Sequence, residues 1–340
     1  MKELVASLII LTFIAGCGGR NTPDVSNIPV NISIERFDKA FFEKGDTVNM
    51  YSFITMLRND FPEFAYDFGD HILGETLIPI TDSSIRPDIA IKNFYRISKP
   101  IYDSIIPKFE KTDKLQSELV QAFKFVKYYF PAYTVPKIVT YVGPLDAPGI
   151  AIMQNSIGIG LQLFAGKDFF FYNTPEGQDL YPRYISRRFE PEYITPNCMK
   201  AVIEDIFPDN SPGRTLIEQM VEKGKRWYLL DHFLPGMPDS LKTDYTQQQM
   251  KWCSTNEGQI WNFILRNNDI YTTEPEIIKN YIGESPHTEG MPDGSPGNIG
   301  QWVGWQIVRT YTYKHPEITP EALMKIDARK LFDEAKYKPR

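Results

Sequence analysis

The first seventeen residues constrain this chain more than any other stretch. Lys2 gives a short basic start, blunted by Glu3, and Leu4 to Ile14 is an apolar run interrupted only by Ser7 and Thr12. A permanent membrane-spanning helix needs about 20 apolar residues, so this run is too short for one. It has the length and the small-residue ending of a signal peptide. Ile14-Ala15-Gly16-Cys17 closes it. Small residues before the cut admit a peptidase, and a thiol directly after it can carry acyl chains at the new N-terminus. The four residues therefore read as a lipobox with Cys17 lipidated. The bland alternative, a secretory signal that merely contains a cysteine, must treat agreement at four successive positions as chance. Each buried methylene of an acyl chain adds about 0.8 kcal/mol, and one chain alone is marginal, so several on one cysteine anchor firmly. The expected division is a signal peptide over 1–16, a lipidated cysteine with a flexible tether over 17–31, and a single globular domain over 32–340.

The rest of the 340 residues has the composition of a globular protein, with 42% hydrophobic and 24% charged residues. A net charge of −6 argues against a general nucleic-acid binder, which needs a basic face. No second apolar stretch approaches spanning length, which leaves the lipid as the expected membrane attachment. Cys198 and Cys253 remain after Cys17; an oxidising envelope permits a disulfide between them, and two buried thiols fit the sequence equally well.

Periodicity predicts an α+β fold, mostly helical with a small antiparallel sheet or hairpin. Ile32, Ile34 and Phe37 suggest a short first strand. A helix follows, capped by Asp46 or Thr47, with Tyr51, Ile54, Leu57 and Arg58 at helical spacing. Arg86 to Phe109 reads as partly helical, broken or kinked at Pro100. Lys114 to Phe130 is amphipathic, with Leu115, Leu119, Ala122, Phe123 and Val126 on one stripe. Pro136 to Val142 reads as a strand, and Ile150–Met153 with Ser156–Phe164 as a hairpin around Gln154-Asn155. Within that second strand Gly158, Gly160 and Gln162 share a face, which admits close approach and marks a candidate contact surface. Helices are expected over Asn197–Phe207, Arg214–Leu230, Asn256–Arg266 and Ile299–Tyr313, the last apolar nearly all round and so buried. The loop Pro286 to Gly297 is a second candidate contact surface, and a plain connection is an equal reading of it.

Catalytic signatures do not emerge. The four histidines, His71, His232, His287 and His315, form no His-Glu-x-x-His pair, and the cysteines lack metal spacing. Gly158-Ile159-Gly160 sits inside a strand without the third glycine of a dinucleotide loop. Asp231-His232 reads as a helix-end acid and imidazole. Glu204-Asp205 could offer a base if the helix faced a cleft, although a solvated helix edge is the ordinary reading.

Several stretches together resemble the gliding-motility lipoprotein GldB family: Ile34-Glu-Arg-Phe-Asp38, Tyr141-Val-Gly-Pro144, Ile159-Gly-Leu-Gln-Leu163, Gly224-Lys225, Tyr245-Thr-Gln-Gln-Gln-Met-Lys-Trp-Cys253, Pro296-Gly-Asn-Ile-Gly300, Trp302-Val-Gly-Trp-Gln-Ile-Val308 and Tyr337-Lys-Pro339. The resemblance implies an envelope lipoprotein needed for gliding, associated with the motors and the secretion machinery they share, with no catalytic residues and no cofactor to carry over. Gly18-Gly19-Arg20 lacks the acidic run that sends such lipoproteins to the outer surface, so the domain is expected to face the periplasm. A weaker likeness is to a degenerate zincin-like (zinc-peptidase) core, in which a strand hairpin precedes a metal-binding helix and a second helix. Set on this chain, the metal positions fall on Ile203, Glu204, Phe207 and Lys223, and isoleucine and phenylalanine cannot hold zinc. The expected activity is thus non-enzymatic protein contact with the gliding and secretion machinery. The alternative is a peptidase-like hydrolase with a metal site assembled from distant residues such as His232 and His287.

Overall fold

The computed structural model describes residues 22–45, 49–74, 87–267 and 270–339. Strand β1 (Ile34–Arg36) runs directly into α1 (Phe37–Lys44). Helix α2 (Met50–Asp60) follows, capped by Asn49, whose side chain accepts from the Tyr51 and Ser52 amides. The caps expected at Asp46 and Thr47 lie outside the described residues, as do Cys17 and the lipobox. Helix α3 (Pro87–Ile105) passes through Pro100 without stopping, and α4 (Asp113–Tyr129) buries Leu119, Ala122, Phe123, Phe125 and Val126 along its stripe.

Strands β2 (Lys137–Tyr141), β3 (Ile150–Ile152) and β4 (Ser156–Gly160) complete a four-stranded sheet of order β1-β2-β4-β3. The hairpin β3–β4 is antiparallel as expected, with Ile150 opposite Ile159, but β1, β2 and β4 pair in parallel, so the sheet is mixed. The parallel edge depends on a buried ion pair. Asp38 is fully buried and accepts from Arg36 Nε (2.9 Å), Arg36 Nη2 (2.6 Å) and Thr140 Oγ1 (2.6 Å), while Arg36 Nη1 donates to the Phe109 carbonyl (2.7 Å). These bonds join β1 and α1 to β2 across about a hundred residues of sequence.

Strand β4 ends at Gly160 rather than continuing to Phe164; Leu161–Leu163 form a 3₁₀ turn instead. The turn lets the buried Gln162 side chain reach back, accepting from the Gly143 amide (3.1 Å). The glycine face of β4 is not a free surface. A side-chain carbon on Gly158 would lie 3.1 Å from the Tyr141 ring and 3.2 Å from Phe64, so those rings occupy the space the glycines leave. That face is filled from within the chain, while β3 remains the edge of the sheet with Ile152 exposed.

The second half is helical: α5 (Ile194–Ile206), α6 (Leu216–Phe233), α7 (Gln247–Thr255), α8 (Glu257–Asn267), α9 (Pro275–Ile282), α10 (Ile299–Lys314) and α11 (Ala328–Ala335). Thr215 and Glu218 form a reciprocal capping box at the start of α6. Helices α6 and α10 cross at Gly224 and Gly304. A side-chain carbon on Gly304 would land on the Met220 carbonyl, and one on Gly224 would land on the Gly304 backbone. Trp305, Ile307, Val308 and Met220 are buried around the crossing. Cys198 and Cys253 are buried free thiols, both pushed up by burial. Residues before β1 also touch the domain, since Val25 is buried and Lys124 donates to the Ser26 carbonyl (3.1 Å). Among the described residues no helix is long and apolar enough to cross a membrane.

Because the two backbones are in contact, Gly304→Ala must separate α6 from α10. We predict a loss of about 3 kcal/mol of stability, read from urea unfolding. A change below about 0.5 kcal/mol, the range of ordinary surface substitutions, would contradict this packing.

Candidate functional site

Beyond the crossing, Trp305 and Arg309 of α10 bond to Asp231 of α6, and the last turn of α4 meets both helices through Tyr129 and His232. The space between these three ends and the segment after α10, which turns into a short helix at Pro320–Lys325, is an open groove of about 940 Å³. Its walls are rings. Tyr128 packs edge-on against Tyr129 (centroids 4.9 Å apart), Tyr129 against His232 (5.1 Å), and His232 against Tyr228 (4.4 Å). Opposite them stand Tyr313, Pro316, Ile318 and Pro320. Tyr313 is 88% exposed and Tyr128 47%, which leaves two large rings at the mouth of a concave surface. His232 Nδ1 lies 2.8 Å from the Tyr228 carbonyl, so the backbone of its own helix orients the imidazole.

The floor is held by charge. Arg309 stacks on Trp305 with its guanidinium carbon 3.4 Å from the ring centroid. Its Nη2 donates to Asp231 Oδ2 (3.1 Å), which also accepts from Trp305 Nε1 (3.2 Å). Asp231 Oδ1 takes Lys242 (2.5 Å), and Lys242 reaches Asp239 (2.7 Å). Asp231 and Lys242 are each 7% exposed. A buried carboxylate with donors on both oxygens has little freedom to reorient, so Arg309 is presented in a fixed pose. The sequence reads Asp231-His232 as a helix-end pair, and His232 does lie in the last turn of α6. The signal for the groove was the pairing of Tyr128-Tyr129 at the polar end of α4 with Arg309 and Tyr313 at i,i+4 on α10.

The four peptidase-like positions lie on α5, at its C-terminal end and on α6. Ile203 is buried in the core. Phe207 packs against Phe130 (5.6 Å). Glu204 pairs on the surface with Arg226 (2.8 Å) and accepts from the Asp209 amide (2.9 Å). Lys223 pairs with Asp209 (2.7 Å). Glu204, Arg226, Asp209 and Lys223 together form an ion-pair network that ties α5 to α6. Asp205, beside Glu204, accepts from the Tyr133 hydroxyl (3.0 Å). His287 lies on the exposed part of the loop 286–297, whose base is anchored by Thr288 donating to the Pro296 carbonyl (2.8 Å). Among the described residues no group of three or more His, Cys, Asp or Glu side chains is placed to hold a metal ion.

A second polar cluster joins α5 to the start of α10. Asp244 and Asn298 both adopt left-handed backbone, with φ of 64° and 47°. Arg188 bridges Asp244 (3.2 Å) and Glu284 (2.9 Å), Lys200 adds a second bond to Asp244 (2.6 Å), and the Tyr245 hydroxyl donates to the Gly297 carbonyl (3.1 Å). Asp244 Oδ1 and Asn298 Oδ1 are buried without a partner beside a cavity of about 30 Å³, the size of one water. This cluster joins segments rather than opening a site.

Fold and surface thus define an α+β domain with an aromatic groove between α4, α6 and α10. A sequence profile described as gliding motility protein GldB matches residues 18–339, nearly the whole chain, and the chain belongs to that family. No curated protein and no solved structure matches it significantly.

The network beside Glu204 gives a pH prediction. Burial alone would raise the Asp209 carboxyl, but Lys223 and the Ser211 hydrogen bonds outweigh it and hold the group at about 2, below its ordinary 3.8. Its stabilising contribution is complete above 3.8 and is lost as pH falls through about 2. Asp209→Asn should lower stability at neutral pH and flatten the acid limb of the stability–pH curve over that window. An acid limb identical to the parent's would show that Asp209 is not held down.

Proposed function

We propose that the protein is a lipid-anchored envelope component that serves gliding motility by binding a partner of the gliding and secretion machinery, facing the periplasm and working without catalysis. Cys17 carries the anchor, and the groove between α4, α6 and α10 is the contact surface. The observation that carries the reading is the groove itself: exposed rings of Tyr128 and Tyr313 around a floor fixed by Arg309, Trp305 and Asp231. A concave aromatic surface on a rigid base suits recognition. Family membership supports the motility role.

One observation favours the second reading, a peptidase-like hydrolase or its inactive descendant. Strand β3 is an antiparallel edge on an otherwise parallel sheet and packs beside α5, the order expected of a peptidase core. Metal analysis separates the two readings.

Replacing the chromosomal copy with Tyr128→Ala/Tyr313→Ala tests the contact surface. Both rings are exposed, so folding and protein level should be unchanged while gliding is lost. Normal spreading by these cells would sink the assignment of the groove.

A further inference from the structure

The lead into the domain decides which face of the protein meets the bilayer, and this rests on Cys17 being the acylated anchor proposed above. A free tether over 17–31 would stretch to about 54 Å. That exceeds the width of about 50 Å expected for a globule of this size, so any face could turn toward the membrane. The structure shortens the free length. Val25 is 3% exposed and Ile32 5%, the Ile28 amide donates to the Val25 carbonyl (3.1 Å), and Lys124 of α4 donates to the Ser26 carbonyl (3.1 Å). The chain is therefore seated on the domain from Val25 onward. From Cys17 to Val25 it reaches at most about 29 Å, which keeps Val25 and the part of α4 that holds it near the acyl chains.

The surface around that point is the outer stripe of α4. Lys114, Ser117, Gln121 and Tyr128 are exposed at helical spacing, with Lys124 half-buried among them. Net charge does not single it out. Lys114 lies 3.8 Å from Glu118, which also accepts from the Thr195 hydroxyl (3.1 Å), and Lys124 is bonded to backbone. What suits the stripe to a lipid headgroup layer is its amphipathic side chains. Its two lysines carry a charged head on a long apolar stem, and Tyr128, 47% exposed, ends it with a ring that has a polar tip. An open hollow of about 510 Å³ beside Lys114 and Gln121 adds the half-buried Met237 and Leu241 to the same face. Tyr128 is also part of the rim of the groove, so the groove opens beside the headgroups.

We infer that the outer stripe of α4 is the membrane-facing surface of the domain, and that its partner is the phospholipid headgroup layer holding the anchor. The test uses the full-length lipidated protein with a fluorophore on Gln121→Cys or, as reference, on Glu276→Cys. Cys198 and Cys253 are both 0% exposed and acylation consumes the Cys17 thiol, so the introduced cysteine alone takes the label. Glu276 lies on α9, which packs at the start of α10, where a side-chain carbon on Gly300 would lie 2.8 Å from the Tyr281 carbonyl. Gly300 is about 20 Å along α10 from Tyr313, at the end that meets α4. The vesicles contain phosphatidylethanolamine, phosphatidylglycerol and a phospholipid with a nitroxide on its headgroup. Quenching at Gln121→Cys should be at least about twofold stronger than at Glu276→Cys, because the domain is wide against the reach of the quencher. Val25→Asp, outside the main core cluster, unseats the lead and should bring the two labels to equal quenching with an unchanged melting curve. Should that variant melt early, Lys124→Ala removes the bond to Ser26 and is expected to weaken the contrast in its place. Equal quenching in the parent protein, stronger quenching at Glu276→Cys, or a contrast that survives both variants would overturn the inference. Mass spectrometry of the N-terminal peptide separates the two levels. Acylated Cys17 with equal quenching sinks the orientation alone, and unmodified Cys17 sinks the anchor with it.

Discussion

The touching backbones of α6 and α10 at Gly224 and Gly304 set the rest of the second half in place. Where two helices meet without intervening side chains, their separation and angle are fixed by hard contact rather than by adjustable packing. The groove inherits that geometry. Tyr228 and His232 lie one and two turns beyond Gly224 on one wall, and Arg309 and Tyr313 lie beyond Gly304 on the other. The bonds from Trp305 and Arg309 to Asp231 then tie the two helices together beside the groove. A surface built this way is preorganised, which lowers the ordering cost of binding.

The first half solves a different problem. A three-residue strand such as β1 cannot hold a parallel register through its own ladder. Arg36, Asp38 and Thr140 do so with hydrogen bonds that converge on the fully buried Asp38 carboxylate, and the phenylalanine cluster of α1 and α2 packs nearby. A buried pair of this kind is costly to break and weak as net stabilisation, so its effect here is to specify the register of β1 against β2.

Local pattern made much of this readable. The amphipathic stripe of α4 and the all-round apolar character of α10 placed both helices within a residue or two. The alternation around Gln154-Asn155 gave the β3–β4 hairpin. The parallel pairing of β1 with β2 was not readable, because its determinants are about a hundred residues apart. Gly158 and Gly160 correctly signalled close approach, yet the approaching groups are Tyr141 and Phe64 of the same chain rather than a partner. The groove escaped for the same reason as the parallel sheet. Its rings come from residues 128–129, 228–232 and 309–313, and only tertiary packing brings them together. The degenerate peptidase-like positions, read as unable to hold metal, have structural partners that the sequence did not show: Ile203 is core, and Glu204 and Lys223 belong to an ion-pair network.

The functional account turns on contact in place of chemistry. Its most direct test pairs metal analysis of the protein purified from its native envelope with the gliding speed of cells whose only copy carries Glu204→Gln, which removes the one peptidase-like carboxylate while leaving its size unchanged. The account predicts wild-type speed and far less than one equivalent of zinc. Stoichiometric zinc, or gliding lost at a normal protein level, would contradict it.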